Sequence, residues 1–206
     1  HGGSFWSPDG RYVAFYRKDE SMVTQYPLVD IEPRPAKVRW TRYPMTGMTS
    51  EEVTICVYHV TTGSVTRLQT GQPADHYLTH ITWLPGSDGI LVAEINRDQD
   101  HLMMNRYSPV TGERAGTLFH ERDDEWVEPL DPPVFIPSSD DEFVWLSQRN
   151  GHRNLYCYTT GGRLLAATDL EQDITGIIGF DERGRVYVTA ASPDGMERHG
   201  ARIEPK

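Results

Sequence analysis

The chain predicts an all-β fold: a partial β-propeller of about three and a half to four four-stranded antiparallel blades. Three observations carry this. First, one short pattern recurs four times: an aromatic-led step, a polar turn, then a strand rich in aromatic or β-branched residues. The copies are Phe5-Trp6-Ser7-Pro8-Asp9-Gly10-Arg11-Tyr12-Val13, Thr82-Trp83-Leu84-Pro85-Gly86-Ser87-Asp88-Gly89-Ile90-Leu91, Phe135-Ile136-Pro137-Ser138-Ser139-Asp140-Asp141-Glu142-Phe143-Val144 and Gly179-Phe180-Asp181-Glu182-Arg183-Gly184-Arg185-Val186-Tyr187. Second, the copies are spaced by 77, 53 and 44 residues from Trp6 to Trp83, Ile136 and Phe180. The last two spacings lie near the roughly 40–50 residues of a propeller repeat. Third, nothing reads as a long amphipathic helix; the nearest candidate, Thr168 to Asp173, is too short and too polar.

The elements follow in order. Pro and Gly set the turn geometry, and Asp or Ser side chains bond the turn backbone. The first unit runs over about residues 1–74, with Ile55-Cys56-Val57-Tyr58 as a strand and Thr62-Gly63-Ser64 as a turn. It is long by roughly one hairpin, so an insertion is placed at 26–52, where Pro27, Pro33, Pro35 and Pro44 break the regular pattern. The second unit, about 75–122, shows four strands at Leu78–Leu84, Gly89–Asn96, Leu102–Ser108 and Arg114–Glu121, with Pro109 to Glu113 turning between the last two. Several short strands with regular turn signals argue all-β. The third unit, about 123–170, turns at Gly161-Gly162. The fourth, 171–206, supplies Ile174–Phe180, Arg185–Ala191 and a strand around Arg198–Glu204, and lacks a fourth strand. His1-Gly2-Gly3-Ser4 leads straight into a strand, so the chain reads as a segment of a larger fold, without a signal peptide and without closure of a ring.

Composition narrows the function classes. The net charge is −10 with no cluster of Lys and Arg, which leaves nucleic acid without an electrostatic footprint. No apolar run approaches the roughly 20 residues of a membrane-spanning helix. The chain has no G-x-S-x-G, H-E-x-x-H, G-x-x-x-x-G-K or G-x-G-x-x-G, so no nucleophile elbow, zinc helix or phosphate loop is predicted. No catalytic residue, metal or cofactor is assigned.

Cys56 and Cys157 each fall in a strand and read as buried free thiols, a disulfide between blades being the other reading. His76 and His80 flank Tyr77-Leu78-Thr79 on a strand, where i and i+4 stand more than about 13 Å apart, so they are not paired ligands. Asp98 and Asp100 read as a solvated hairpin tip, since the Gly and distal Glu of a calcium loop are missing. Glu121-Arg122-Asp123-Asp124-Glu125 reads as a solvated loop, with a cationic ligand as the alternative. Trp126-Val127-Glu128-Pro129 lies in the connection between two blades, where propellers build binding surfaces. A carboxylate beside a Trp can receive an ammonium group, or the pair is a packed Trp with an exposed Glu.

In order along the chain, Phe5 to Gly10, Arg17 to Ser21, Tyr43-Pro44-Met45-Thr46-Gly47 and Val53 to Tyr58 resemble the N-terminal propeller of the dipeptidyl peptidase IV family, closest to its bacterial members. Trp126-Val127-Glu128 to Phe135, then Ser147 to Tyr156, resemble that family's W-V … s-e-r-d-G-y-x-h-l-y blade, and Gly195 to Ile203 its G-G-x-x-L-Y step. The likeness is colinear over essentially the whole chain.

What the resemblance implies is a propeller that admits and orients substrate above a C-terminal α/β-hydrolase domain bearing Ser, Asp and His. The parent would release X-Pro or X-Ala dipeptides from peptides with a free N-terminus. The family's ammonium-binding glutamates belong just upstream of His1, so this segment alone should catalyse nothing. In relatives the connection at Trp126, Glu128 and Leu130 reaches an extended substrate pocket, which makes these three the candidate substrate-binding residues. The resemblance leaves a periplasmic, cell-surface or cytoplasmic location open. Unpaired blade edges offer a route to a homodimer. Two other classes stay open: a non-catalytic TolB- or WD40-like propeller that binds proteins, and the propeller of an acylaminoacyl or other prolyl oligopeptidase-type peptidase.

Overall fold

The computed structural model describes residues 3–203, which contain seventeen strands and no helix. His1, Gly2 and Glu204 to Lys206 lie outside the described residues, including the last residue predicted for the final strand. The first sheet joins β1 (Ser4–Trp6) and β2 (Tyr12–Asp19) to two later strands, with a two-stranded ribbon of β3 (Gln25–Asp30) and β4 (Lys37–Arg42) inserted between them. Those later strands are β5 (Glu52–His59) and β6 (Val65–Arg67), giving the order β1-β2-β5-β6. The second sheet is β7 (Tyr77–Trp83), β8 (Ile90–Ile95), β9 (His101–Tyr107) and β10 (Arg114–Arg122). The third is β11 (Val134–Phe135), β12 (Glu142–Ser147), β13 (Asn154–Thr159) and β14 (Leu164–Ala167). A three-stranded sheet follows, built from β15 (Ile174–Phe180), β16 (Val186–Ala191) and β17 (Arg198–Ile203). All pairings are antiparallel, and all join sequence neighbours apart from β2 with β5 across the ribbon. This is the all-β partial propeller, and among the described residues its sheets do not close on one another.

The core lies between sheets, and strand alternation explains it. Side chains along a strand point to opposite faces with period two. In β8, Ile90 and Val92 pack toward the first sheet with Ala14, Ile55, Val57, Leu68 and Tyr107, while Leu91, Ala93 and Ile95 pack toward the third with Phe143, Trp145 and Tyr158. In β12 and β13 the alternation continues: Val144, Leu146, Leu155 and Cys157 meet Ile174, Val186 and Val188 of the next sheet. Middle strands covered on both faces therefore read as continuous apolar runs. Cys56 and Cys157 are free and buried in such strands, and burial pushes the Cys157 thiol up to about 11.

The recurrent turns carry the bonding that their residues imply. Ser7 Oγ donates to Asp9 Oδ1 at 2.7 Å, and the same oxygen accepts the Arg11 backbone N–H at 2.9 Å. That backbone bond, with the Ser7 hydroxyl and the Arg11 guanidinium, lowers the Asp9 carboxyl to about 2. Asp181 repeats the motif with the backbone of Arg183 and Arg185. A second turn class joins sheets. Gly112 and Gly162, both with left-handed backbone, lie in the turns before the outermost strands and abut the preceding sheet. The Gly112 carbonyl accepts the Gln69 N–H at 2.8 Å.

The insertion is more regular than its prolines suggest. Pro27 sits inside β3 opposite Trp40. A two-stranded ribbon tolerates it because half of the backbone N–H groups point away from the partner strand. Leu28, Val29, Val38 and Trp40 are exposed on this ribbon.

Candidate functional site

The connection between β10 and β11 is a pinned segment. In antiparallel blades it leaves the sheets at the same end as the start of β7 and the β8–β9 hairpin, and it bonds to both. The Val127 N–H donates to the Gln99 carbonyl at 2.6 Å, and the Asp123 N–H to the Asp100 carbonyl at 3.1 Å. Further on, His80 Nε2 lies 3.0 Å from the Pro129 carbonyl, and Asp131 pairs with Arg153 from the third sheet. Val127 is buried in the core between the second and third sheets. Its neighbours therefore face outward: Trp126 is 56% exposed and Leu130 60%, with Glu128 exposed between them. Of the packed Trp with an exposed Glu, the exposed Glu is found but the packed Trp is not; both side chains are presented to solvent on either side of the buried Val127.

The segment borders a cavity of about 590 Å³, whose other walls include Phe5, Tyr16, Tyr77, Ile81 and Ile95. Among the described residues, Glu128 is the one carboxylate on its lining. A narrow crevice beneath the segment's other side reaches Glu121 and Arg149. Apolar walls with one carboxylate at the rim suit a cationic or amine-bearing ligand better than an anion.

Two readings of the chain are corrected here. Glu121 is not part of a solvated acidic loop. It is the next-to-last residue of β10, is 7% exposed, and accepts the Trp145 indole N–H at 2.6 Å and an Arg149 N–H. The reason is its position on the face of an outer strand that the next sheet covers. The Asp98–Asp100 stretch is the exposed hairpin tip expected of it, yet it does not stand apart: the Gln99 and Asp100 carbonyls hold the connection, while Asn96 Oδ1 accepts the Asp100 and His101 N–H groups. Nor do His76 and His80 share a regular strand. His76 precedes β7, and His80 sits at φ 55° in a register shift between Thr79 and Thr82. No sequence signal marks that bulge. Among the described residues, no group of three or more His, Cys, Asp or Glu side chains is arranged to hold a metal.

Stacked antiparallel sheets joined by such connections define the class: a propeller segment with an exposed, pinned connection at one end. The chain belongs to the family described as "Dipeptidyl peptidase IV (DPP IV) N-terminal region", which it matches over residues 1–204. A solved structure from Bacteroides ovatus, assigned as a dipeptidyl aminopeptidase IV, is 38% identical and superposes with a TM-score of 0.90 over 98% of this chain and 31% of that one. Porphyromonas gingivalis dipeptidyl peptidase 4 shares the fold at 23% identity and a TM-score of 0.84, with 98% and 29% coverage. A fungal sequence from Phaeosphaeria nodorum, assigned as dipeptidyl-aminopeptidase B, is 30% identical over 67% of this chain and 17% of its own length. One from Ajellomyces capsulatus is 27% identical over 97% of this chain and 25% of its own. The chain thus spans a quarter or less of these two curated relatives.

Proposed function

We propose that this chain is the substrate-gating and substrate-orienting propeller portion of a dipeptidyl peptidase IV-like serine peptidase that releases N-terminal X-Pro or X-Ala dipeptides. The observation that carries the reading is the colinear family match over residues 1–204, with the pinned 126–130 segment at one end of the blades. In this reading a C-terminal α/β-hydrolase domain supplies the nucleophile and its base, and the propeller supplies orientation. Holding a peptide by groups remote from the reacting bond converts binding energy into correct placement of that bond. Trp126, Glu128 and Leu130 contact substrate beyond the first two residues, with Glu128 facing cationic groups.

The full-length protein is expected to release the chromophore from a Gly-Pro or Ala-Pro amide with a free amine and to leave the N-blocked amide intact. Cleavage of both would place it with the oligopeptidases, and cleavage of neither would favour a binding propeller. For the site itself, Glu128→Ala is expected to raise KM about two- to fivefold for longer peptides with basic residues, the size of one exposed charge contact. Unchanged KM for such peptides would remove Glu128 from the site.

A further inference from the structure

We propose that His80 is a positioning residue for the 128–130 segment, fixing the side chains of Glu128 and Leu130 through a bond to the backbone between them. The inference rests on the reading of this segment as a substrate contact. Its observations are local and independent of the family. His80 is a non-glycine residue held at φ 55°, a conformation that costs free energy and persists only where the surroundings enforce it. The enforcement is visible. The Thr82 hydroxyl donates to the His80 carbonyl at 3.1 Å, and the imidazole meets the Trp145 ring edge-on with centroids 5.9 Å apart.

The bulge turns the imidazole toward the connection. There Nε2 reaches the Pro129 carbonyl at 3.0 Å, so Nε2 carries the hydrogen and donates it. Burial lowers the imidazole pKa from its ordinary value, against the opposing pull of that carbonyl, which favours the neutral ring as the donor. Val127 is anchored to Gln99 on one side and Asp131 to Arg153 on the other. The His80 bond falls between these anchors. Both His80 and Glu128 line the 590 Å³ cavity, which places the bond at the wall that a ligand would meet.

The test uses the full-length protein and two variants. Asn tolerates left-handed backbone but is too short to reach Pro129, so His80→Asn removes the bond while sparing the bulge. His80→Gln retains an N–H donor of nearly the original reach. Two readouts are taken: amide exchange across residues 124–135, and the kinetics of a Gly-Pro amide against a six-residue peptide beginning Gly-Pro. Pro129, Pro132 and Pro133 carry no amide hydrogen, so the local signal comes from Val127, Glu128, Leu130 and Asp131. His80→Asn is expected to speed exchange there and raise KM for the hexapeptide about fivefold, the size of one lost hydrogen bond. Its kcat, and both constants for the small amide, should stay within about twofold. His80→Gln is expected to restore both readouts.

Unchanged exchange in His80→Asn overturns the proposal whatever the activity. Faster exchange with an unmoved hexapeptide KM overturns its functional half. Equal defects in both variants assign the role to ring packing and overturn the bond. A wild-type protein that cleaves neither substrate fails the peptidase reading instead, and the exchange arm then decides the positioning role alone.

Discussion

Gly112→Ala is expected to destabilise the protein by about 3 kcal/mol or more, the sum of a left-handed alanine and a forced backbone shift. Gly112 sits at φ 74° in the turn before β10, and an added Cβ would lie 2.2 Å from the Arg67 carbonyl oxygen and 3.2 Å from a Thr66 methyl. The first of these is backbone, which cannot swing aside as a side-chain end can. Relief requires the turn to lift off β6, which would strain the Gln69 N–H to Gly112 carbonyl bond between the sheets. Gly162→Ala should behave alike, since its Cβ would lie 2.5 Å from the Leu118 carbonyl oxygen of β10. Gly63 occupies the matching turn of the first sheet at φ 71°, but its Cβ would meet only the Tyr58 hydroxyl, at 3.8 Å. Gly63→Ala therefore isolates the conformational cost, about 1–2 kcal/mol. Chemical denaturation of the three variants checks this ordering. A Gly112→Ala midpoint equal to that of Gly63→Ala would show that the sheets do not depend on this close approach.

The glycines show how far the chain could be read and where reading stopped. Gly112 and the Gly161-Gly162 pair mark turns by residue type alone, and the strands fall where their alternation and turn signals put them. What the turns touch is set by stacking between sheets, which no local pattern encodes. The same limit separates Trp126-Val127-Glu128-Pro129 from its supports. The segment is contiguous, so its place in the connection between two blades is readable from the chain. Its partners are His80, 49 residues before Pro129, the Gln99 carbonyl and Arg153, and none carries a distinguishing spacing. His80 is the hardest case, because its bulge is written in neither glycine nor asparagine. The prolines of the insertion misled in the opposite direction: they read as breaks, yet a ribbon with free outer edges accommodates Pro27. Glu121 read as one of five polar residues because its neighbours are solvated. Only the covering sheet distinguishes it from Asp123 and Asp124.

Arg149→Met is expected to cost about 3–5 kcal/mol, the range for stripping one partner from a buried ion pair. Glu121 belongs to the second sheet, while Arg149 follows β12 in the third, so their bond crosses the interface. Around it the guanidinium is held by the Tyr158 hydroxyl at 2.7 Å and the Ser147 hydroxyl at 3.0 Å, and lies 4.1 Å over the Tyr156 ring. Methionine fills much of the same volume, so lost packing contributes little. What remains is a carboxylate, 7% exposed, with the Trp145 indole N–H as its surviving donor. A charge in that position cannot recover its hydration, and the cost appears as an uncompensated desolvation. Glu121→Gln should cost less, because Gln still accepts from Trp145 and Arg149 keeps its hydroxyl and ring contacts with 24% of its side chain in water. The double variant Glu121→Gln with Arg149→Met should then be more stable than Arg149→Met alone, since removing the stranded charge removes most of the penalty. Denaturant midpoints of the two single variants and the double close this cycle. If the double costs the sum of the singles, the two groups are not coupled, and the cohesion of the second and third sheets is apolar packing without this pair.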